Sequence, residues 1–539
     1  MKTFKPQIKH LTAIILMGFF ILLFNGCSNE EKKTSKSFSG EEFIQVNELL
    51  YLLDFESETA FVQNGESIQD AVDAALPGDV IYIEPGTYRE DIAVNSSNIK
   101  LIGLSYTPND LLINNAKENN IDIIKLYDKS SIENHHQNFD NKEKENIISD
   151  FSRTELGGGI AHYRFKVRMG PGEFDVVGIH RVVRESRPFH PVPTKGDVFM
   201  VHGALTGFAN TFLAKGLESV NDINAKTSAP FYLASKNIDV WGIDLGWTMI
   251  PAETTEFSFF EDWGFEKDID HTLKALRIAR TIRGITKQGF SNLNLLGYSS
   301  GATIAYGVAN SETQQANMMK RNIKGLIPVD NAFKFENGEN FGCVEANSHL
   351  DSFNSGVLEN RWGEFFSLLG NLALTNPDSV SPIPDFEGLT NSRATRIVFS
   401  SPKDPDKGIF FHFFGGNVNE FLYSDENRIF RDAAGHSPFM PTKIFYEYNA
   451  LNCSSSDGVS FDDHLELISV PIFYIGAGGG SGEAGYYTAT LTASTDVTNH
   501  LVSLDDDPSK DFGHVDLWLG YNADKLVWSE LSSWIVDHK

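Results

Sequence analysis

The tightest constraint in the chain is the stretch Leu293-Asn-Leu-Leu-Gly-Tyr-Ser-Ser-Gly301. Its apolar start suits a short buried strand, and Ile304, Ala305 and Val308 after it have helical spacing. A strand that turns at once into a helix leaves little room for side chains, which accounts for Gly297 and Gly301 on either side of Ser299. Such a bend lifts the Ser299 hydroxyl to the sheet edge, beside a helix N-terminus whose free amides can stabilise an oxyanion. The pattern alone arises by chance in a chain rich in Gly and Ser, so its context must carry the assignment.

At 539 residues the chain exceeds one ordinary core, and two or more units are expected. With 72 Asp+Glu against 45 Lys+Arg it lacks the basic face that nucleic acid would require. Lys2, Lys5 and Lys9 precede a short apolar run over 11–24, which reads as a signal peptide spanning 1–26. The run ends in Phe-Asn-Gly-Cys27, which resembles a bacterial lipoprotein processing box with Phe24 departing from the usual aliphatic residue. The resemblance implies lipidation at Cys27, a membrane partner through that anchor, and the cell envelope as location; a plain secretory peptide is the alternative. Residues 27–59 then form a tether. In an oxidising compartment Cys343 and Cys453 either pair or remain two buried thiols.

Residues 60–127 alternate short apolar runs with polar turns. Ile68, Ala71, Val72 and Ala75 fall at helical spacing, Pro77-Gly78 breaks the helix, and strands are expected at 80–83, 92–94 and 99–102, with one more rung from 111–113 and 121–126. This stretch resembles the opening of a pectin-lyase-like right-handed β-helix, in which an amphipathic helix caps the first rung. The later rungs that carry that family's acidic sites are missing, so the resemblance implies a structural or glycan-binding unit. Residues 128–159, rich in Asn, Lys, Glu and Asp, read as a polar linker.

From residue 160 strands and helices alternate. An antiparallel pair is expected at 163–169 and 174–183, then strands at 197–201, 238–243, 293–296, 325–329, 470–475 and 500–504. Ile269, Leu273, Leu276 and Ile282 mark an amphipathic helix, and 528–536 a closing one. Alternation of this kind implies a mostly parallel sheet covered on both faces.

In order, the chain then presents His202-Gly203-Ala204-Leu205, the aromatic loop Asp244-Leu-Gly-Trp247, the serine turn, a late acid and Gly513-His514. Residues 160–539 therefore resemble an α/β-hydrolase of the lipase and esterase type. The fold class expected is α/β, a hydrolase sheet with helices on both faces and a cap insertion at 331–467 after the sixth strand, preceded by the short β-helix-like unit. The resemblance implies a serine hydrolase cleaving carboxylic esters, with small-molecule or lipid esters as substrate. A surface glycan-binding protein, or an esterase of acylated polysaccharides, is the alternative.

The resemblance casts Ser299 as nucleophile and His514 as general base, with the amides of Ser300 and Ala204, or Leu205, as the oxyanion hole. The acid is expected in the loop after the seventh strand, where Glu483 is the only one, and Asp330 at the end of the sixth strand is its rival. Asp516 is expected to fasten the His514 loop. The cap is aromatic, with Phe353, Trp362, Phe365, Phe366, Phe410, Phe411, Phe413, Phe414 and Phe421; these either bind an apolar acyl or aryl group or form the cap's own core. His135-His136 lies in the polar linker, no Cys or His set has metal-ligand spacing, and no phosphate or dinucleotide motif appears, so no cofactor or metal is expected.

Overall fold

The computed structural model describes residues 59–103 except 89, 91, 94, 95 and 97, strands at 111–112 and 122–125, and residues 148–539 except 215–227, 337–338, 402–410 and 454–457. The signal peptide, Cys27, the tether up to residue 58, His135-His136 and Phe410 lie outside the described residues.

The N-terminal unit runs β1 (Thr59–Val62), α1 (Ile68–Asp73), β2 (Val80–Ile83), β3 (Gly86–Thr87), β4 (Lys100–Gly103), β5 (Leu111–Leu112) and β6 (Asp122–Lys125). Strands β1, β2, β4 and β6 stack in parallel, with Val80, Lys100 and Asp122 in line, and β3 pairs with β5 in a second small sheet. Ser67 accepts from the amide of Asp70 and Glu90 from those of Ile68 and Gln69, satisfying the first turn of α1. The strand expected at 92–94 is absent at Ile92 and Ala93. The Gln69 side chain takes both backbone groups of Ala93, at 2.7 and 3.0 Å, in place of a neighbouring strand.

This unit is fastened to the larger one. Phe61 packs on Phe290 with ring centroids 5.2 Å apart, and the Arg280 guanidinium lies 4.0 Å above the Phe61 ring. Glu84 accepts from the amide of Phe290 at 2.6 Å, and the buried side chains of Lys320 and Asp79 pair at 2.7 Å. Removing one partner of a buried pair strands the other's charge, so the seam is specific.

The larger unit opens with the antiparallel strands β7 (Ile148–Gly157), β8 (Ile160–Arg168) and β9 (Val176–Arg187), with His190–Pro191, β10, folded back on β9. Then come β11 (Gly196–Val201), α2 (Phe208–Leu213), α3 (Ala229–Ser235), β12 (Ile238–Asp244), α4 (Phe265–Ile285), β13 (Leu293–Tyr298), α5 (Ser300–Thr313) and β14 (Ile323–Val329). The linker expected over 128–159 thus ends in a strand. Strand β7 sits at the sheet edge with most side chains half-exposed, so its residues carry no apolar alternation to betray it.

Five helices follow among the described residues: α6 (Glu339–Asn354), α7 (Trp362–Thr375), α8 (Asn391–Ser400), α9 (Glu426–Ala434) and α10 (Thr442–Ala450). They form the insertion, and a disulfide between Cys343 and Cys453, Cα atoms 4.6 Å apart, ties α6 to the chain leaving α10. The pairing left open by the sequence is therefore made. The sheet resumes with β15 (Ile472–Ala477), a short helix α11 (Tyr486–Thr490), β16 (Val497–Val502), α12 (Asp516–Leu519) and α13 (Ser529–Asp537).

Strand order is β16-β15-β14-β13-β11-β12-β9-β8-β7, parallel from β16 to β12 and antiparallel beyond. Alternate side chains face opposite layers. Phe199, Val201, Trp241, Ile243, Leu293 and Leu295 pack under α4 and α5; Val198, Met200, Val240, Leu296, Ile327 and Val329 pack against α2, α3 and α13. With β12 and β13 flanking β11, the chain reverses direction across the sheet at β11, and the loops at the carboxyl ends of these strands border a crevice.

Candidate active site

Ser299 follows β13 at φ 55° and ψ −127°, a conformation an L-residue adopts only when its surroundings impose it. Added Cβ atoms show what imposes it. One at Gly297 would fall 2.1 Å from the Gly301 carbonyl oxygen, and one at Gly301 would fall 2.5 Å from those of Val201 and His202. The Ser299 amide donates to the Val329 carbonyl at 2.9 Å, so the elbow is anchored to the neighbouring strand. Ser300 opens α5, where the first amides have no intrahelical acceptor.

The loop after β11 lies against this elbow: a Cβ on Gly203 would sit 2.9 Å from that of Ser299. Leu205 holds φ 63°. His202 is fully buried; its Nε2 accepts from the Leu245 amide at 3.1 Å, which leaves Nδ1–H to donate to the Gly203 carbonyl at 2.8 Å. Burial pushes the His202 pKa down to about 4, which keeps the ring neutral in this tautomer. The far end of the loop is fixed where the Phe208 amide donates to Asp244 at 2.8 Å. Asp244 is buried and held well below the usual carboxylate range, the His180 and Arg164 charges outweighing desolvation. His202 therefore shapes the loop, and His271, buried in α4 with its pKa pushed down to about 4 by burial, stands in a helix of the core.

His514 is buried, its ring stacked on that of Tyr298 with centroids 4.5 Å apart; Phe411 covers it from the cap at 4.9 Å. The Tyr298 hydroxyl donates to the His514 carbonyl at 3.2 Å, joining the residue before Ser299 to the histidine loop. The cap strip is laced to that loop as well, the amides of His514 and Val515 donating to the carbonyls of His412 and Phe413. Asp516 fastens the loop as expected: one oxygen accepts from the amides of Gly415 and Gly513, and the other from the Ser424 hydroxyl. Burial pushes its carboxyl up to about 7.

The acid at His514 is Asp330 and not Glu483. Asp330 Oδ2 accepts from His514 Nδ1 at 2.6 Å, with both side chains buried. Its Oδ1 accepts from the amides of Ala477, Ser481 and Gly482 at 2.9, 3.0 and 3.3 Å. Glu483, the residue after Gly482, is exposed in the same turn. The glycine-rich loop therefore binds the acid and does not supply it. A Cβ on Gly480 would lie 1.9 Å from Asp330 Oδ2, so only a bare backbone lets these amides close on the carboxylate. Six glycines around a single acid in 476–485 were the available signal that this loop approaches a buried group.

The phenylalanines of the insertion divide. Phe366 and Phe414 are buried in the cap, Phe411 and Phe413 are half-buried with rings 4.9 and 6.4 Å from that of His514, and Phe353, Trp362, Phe365 and Phe421 are half-buried elsewhere on it. Sequence inspection did not single out Phe399, which packs against Phe366 and Phe413, or His436 beside them. Among the described residues no group of three or more His, Cys, Asp or Glu is placed to hold a metal ion, and no helix is long and apolar enough to cross a membrane.

No family model matches the sequence, and no curated protein matches it either. Among solved structures, the chain is similar to a putative lipase from Sulfolobus solfataricus, with TM-score 0.52 and 18% identity over 72% of this chain and 100% of the other. A putative lipase from Acinetobacter baumannii matches with TM-score 0.34 and 13% identity over 72% and 91%. At such identities the likeness concerns the fold, and the chain has an α/β-hydrolase fold.

Proposed function

We propose that the protein is a serine hydrolase that cleaves carboxylic esters with an apolar acyl or aryl group. The observation that carries this is the buried Asp330–His514 pair, whose histidine stacks on Tyr298, the residue before a serine on a strained strand-to-helix elbow. With Nδ1–H given to Asp330, His514 keeps Nε2 unprotonated and able to take the Ser299 proton. Ser299 Oγ attacks the ester carbon, and the amides of Ser300 and of Ala204 or Leu205 receive the carbonyl oxygen as it gains charge. His514 passes its proton to the departing alkoxide, leaving an acyl group on Ser299. A water, deprotonated by His514, then releases the acid and restores the serine. The phenylalanines at His514 favour an apolar substrate group.

Two further readings belong to this proposal. Lipidation at Cys27 would hold the enzyme in the bacterial envelope, a reading supported by the basic, apolar and Gly-Cys segments of its leader. The N-terminal coils, similar to the start of a pectin-lyase-like β-helix, serve as a buttress; the buried Lys320–Asp79 pair and the Arg280–Phe61 contact support this over a free glycan-binding module. The test is turnover of p-nitrophenyl esters of rising chain length beside acetylated glycans. Hydrolysis of the apolar esters, lost in Ser299→Ala, is expected. Cleavage of the glycan esters alone would move the substrate class to polysaccharide, and no Ser299-dependent turnover would refute the ester reading.

A further inference from the structure

The cap turn after α9 bears directly on the oxyanion loop. The Ser437 amide donates to the Leu205 carbonyl at 2.7 Å, and the turn is pressed onto α7 so closely that a Cβ on Gly363 would meet the Ser437 carbonyl oxygen at 1.7 Å. His436 is therefore held beside the loop that the ester reading assigns to the substrate carbonyl. Its ring meets Phe366 edge-on with centroids 5.3 Å apart and Phe399 at 6.3 Å. Those two rings pack on Phe413, and Phe413 and Phe411 face His514, so one aromatic wall runs from His436 to the base.

The two nitrogens of His436 are differently placed. Nδ1 turns back on its own helix end, 2.9 Å from the Asp432 carbonyl and 3.1 Å from that of Ala433. Both are acceptors, so Nδ1 carries the proton. Burial of the ring pushes its pKa down to about 4, and the imidazole is neutral at pH 7. Nε2 is then a bare lone pair on the outer edge of the ring, with no hydrogen-bond partner among the described residues. His436, Phe411 and Phe413 are each only half-buried, so part of each ring remains exposed. An acceptor set in an apolar wall discriminates strongly, because a ligand without a donor leaves it desolvated and unpaired.

We propose that His436 Nε2 is a specificity-determining acceptor that selects, among apolar esters, those bearing a hydroxyl or N–H on the group held under the cap. The proposal rests on the ester reading above. His436 acts through the bound substrate and takes no part in proton transfer at Ser299.

The test compares methyl cinnamate with methyl 4-hydroxycinnamate on the full-length enzyme and on His436→Phe and His436→Gln. A second readout is competition of phenylethylboronic acids, with and without a ring hydroxyl, against fluorophosphonate labelling. The wild type is expected to favour the hydroxylated partner by about tenfold or more in kcat/KM or apparent affinity. His436→Phe should abolish that ratio, and His436→Gln, which keeps an acceptor, should retain part of it. The ratio is internal to each variant, so a partly destabilised protein still reports it. Labelling of Ser299 with a ratio near one in the wild type, or unchanged in His436→Phe, would overturn the His436 assignment alone. Absence of labelling in the wild type would overturn the ester reading and this inference with it.

Discussion

Replacing Asp330 by Asn tests the site at its most constrained atom. The three amides of Ala477, Ser481 and Gly482 converge on Oδ1, so the Asn oxygen must stay there and its NH2 group must take the place of Oδ2. That position lies 2.6 Å from His514 Nδ1, and two donors cannot face each other at this distance. The imidazole would be driven to the other tautomer, with its proton on Nε2, where it cannot accept from Ser299. The loss expected is about 10³- to 10⁴-fold in kcat, or about 4–5.5 kcal/mol, since fold and substrate contacts stay in place. Glu483→Gln, on an exposed side chain, should stay within about twofold. Steady-state hydrolysis of one p-nitrophenyl ester, with thermal melts to confirm folding, reads both. An Asp330→Asn enzyme within tenfold of wild type, or a Glu483→Gln enzyme as damaged as Asp330→Asn, would refute the reasoning.

Other outcomes follow from the same geometry. Gly480→Ala would drive a methyl group into the Asp330 carboxylate, and a displacement of this kind should cost on the order of 10²-fold in turnover while a folded protein remains by circular dichroism. Reducing Cys343–Cys453, which closes a separation of 110 residues, should lower stability by about 2–4 kcal/mol, seen as an earlier melt in dithiothreitol. Burial raises the Asp516 carboxyl from its ordinary 3.8 to about 7, so its neutral form is the one the fold favours. Its contribution is full below the unfolded pKa and is lost as pH rises through 7. Asp516→Asn should therefore flatten the fall in stability between pH 4 and 7, measured by urea melts; an unchanged slope contradicts that sign.

Much of this fold was legible because the buried strands are nearly continuous apolar runs. Val198 to Val201 is wholly apolar, Ile238 to Ile243 and Leu293 to Leu296 are each broken by one polar residue, Asp239 and Asn294, and all three fill both layers. Strand β7 was not legible, since its half-exposed edge residues show no apolar period to detect. Ser299 and His514 stand out in the sequence because glycines and chain order mark them. The carboxylate that pairs with His514 does not, because a carboxylate's partner depends on which backbone amides close around it, and amides leave no trace in sequence. The loop after β11 has the same character. His202 is visible as a residue, but its work of joining the Gly203 carbonyl to the Leu245 amide emerges only in three dimensions.

The central claim is that Ser299 is a nucleophile activated by the Asp330–His514 pair. The most direct measurement is the intact mass of the protein after reaction with a fluorophosphonate, followed by peptide mapping. A single adduct on the peptide carrying Ser299 is predicted, absent from Ser299→Ala and slowed by orders of magnitude in Asp330→Asn. An adduct on another residue, or equal labelling of wild type and Ser299→Ala, would contradict it.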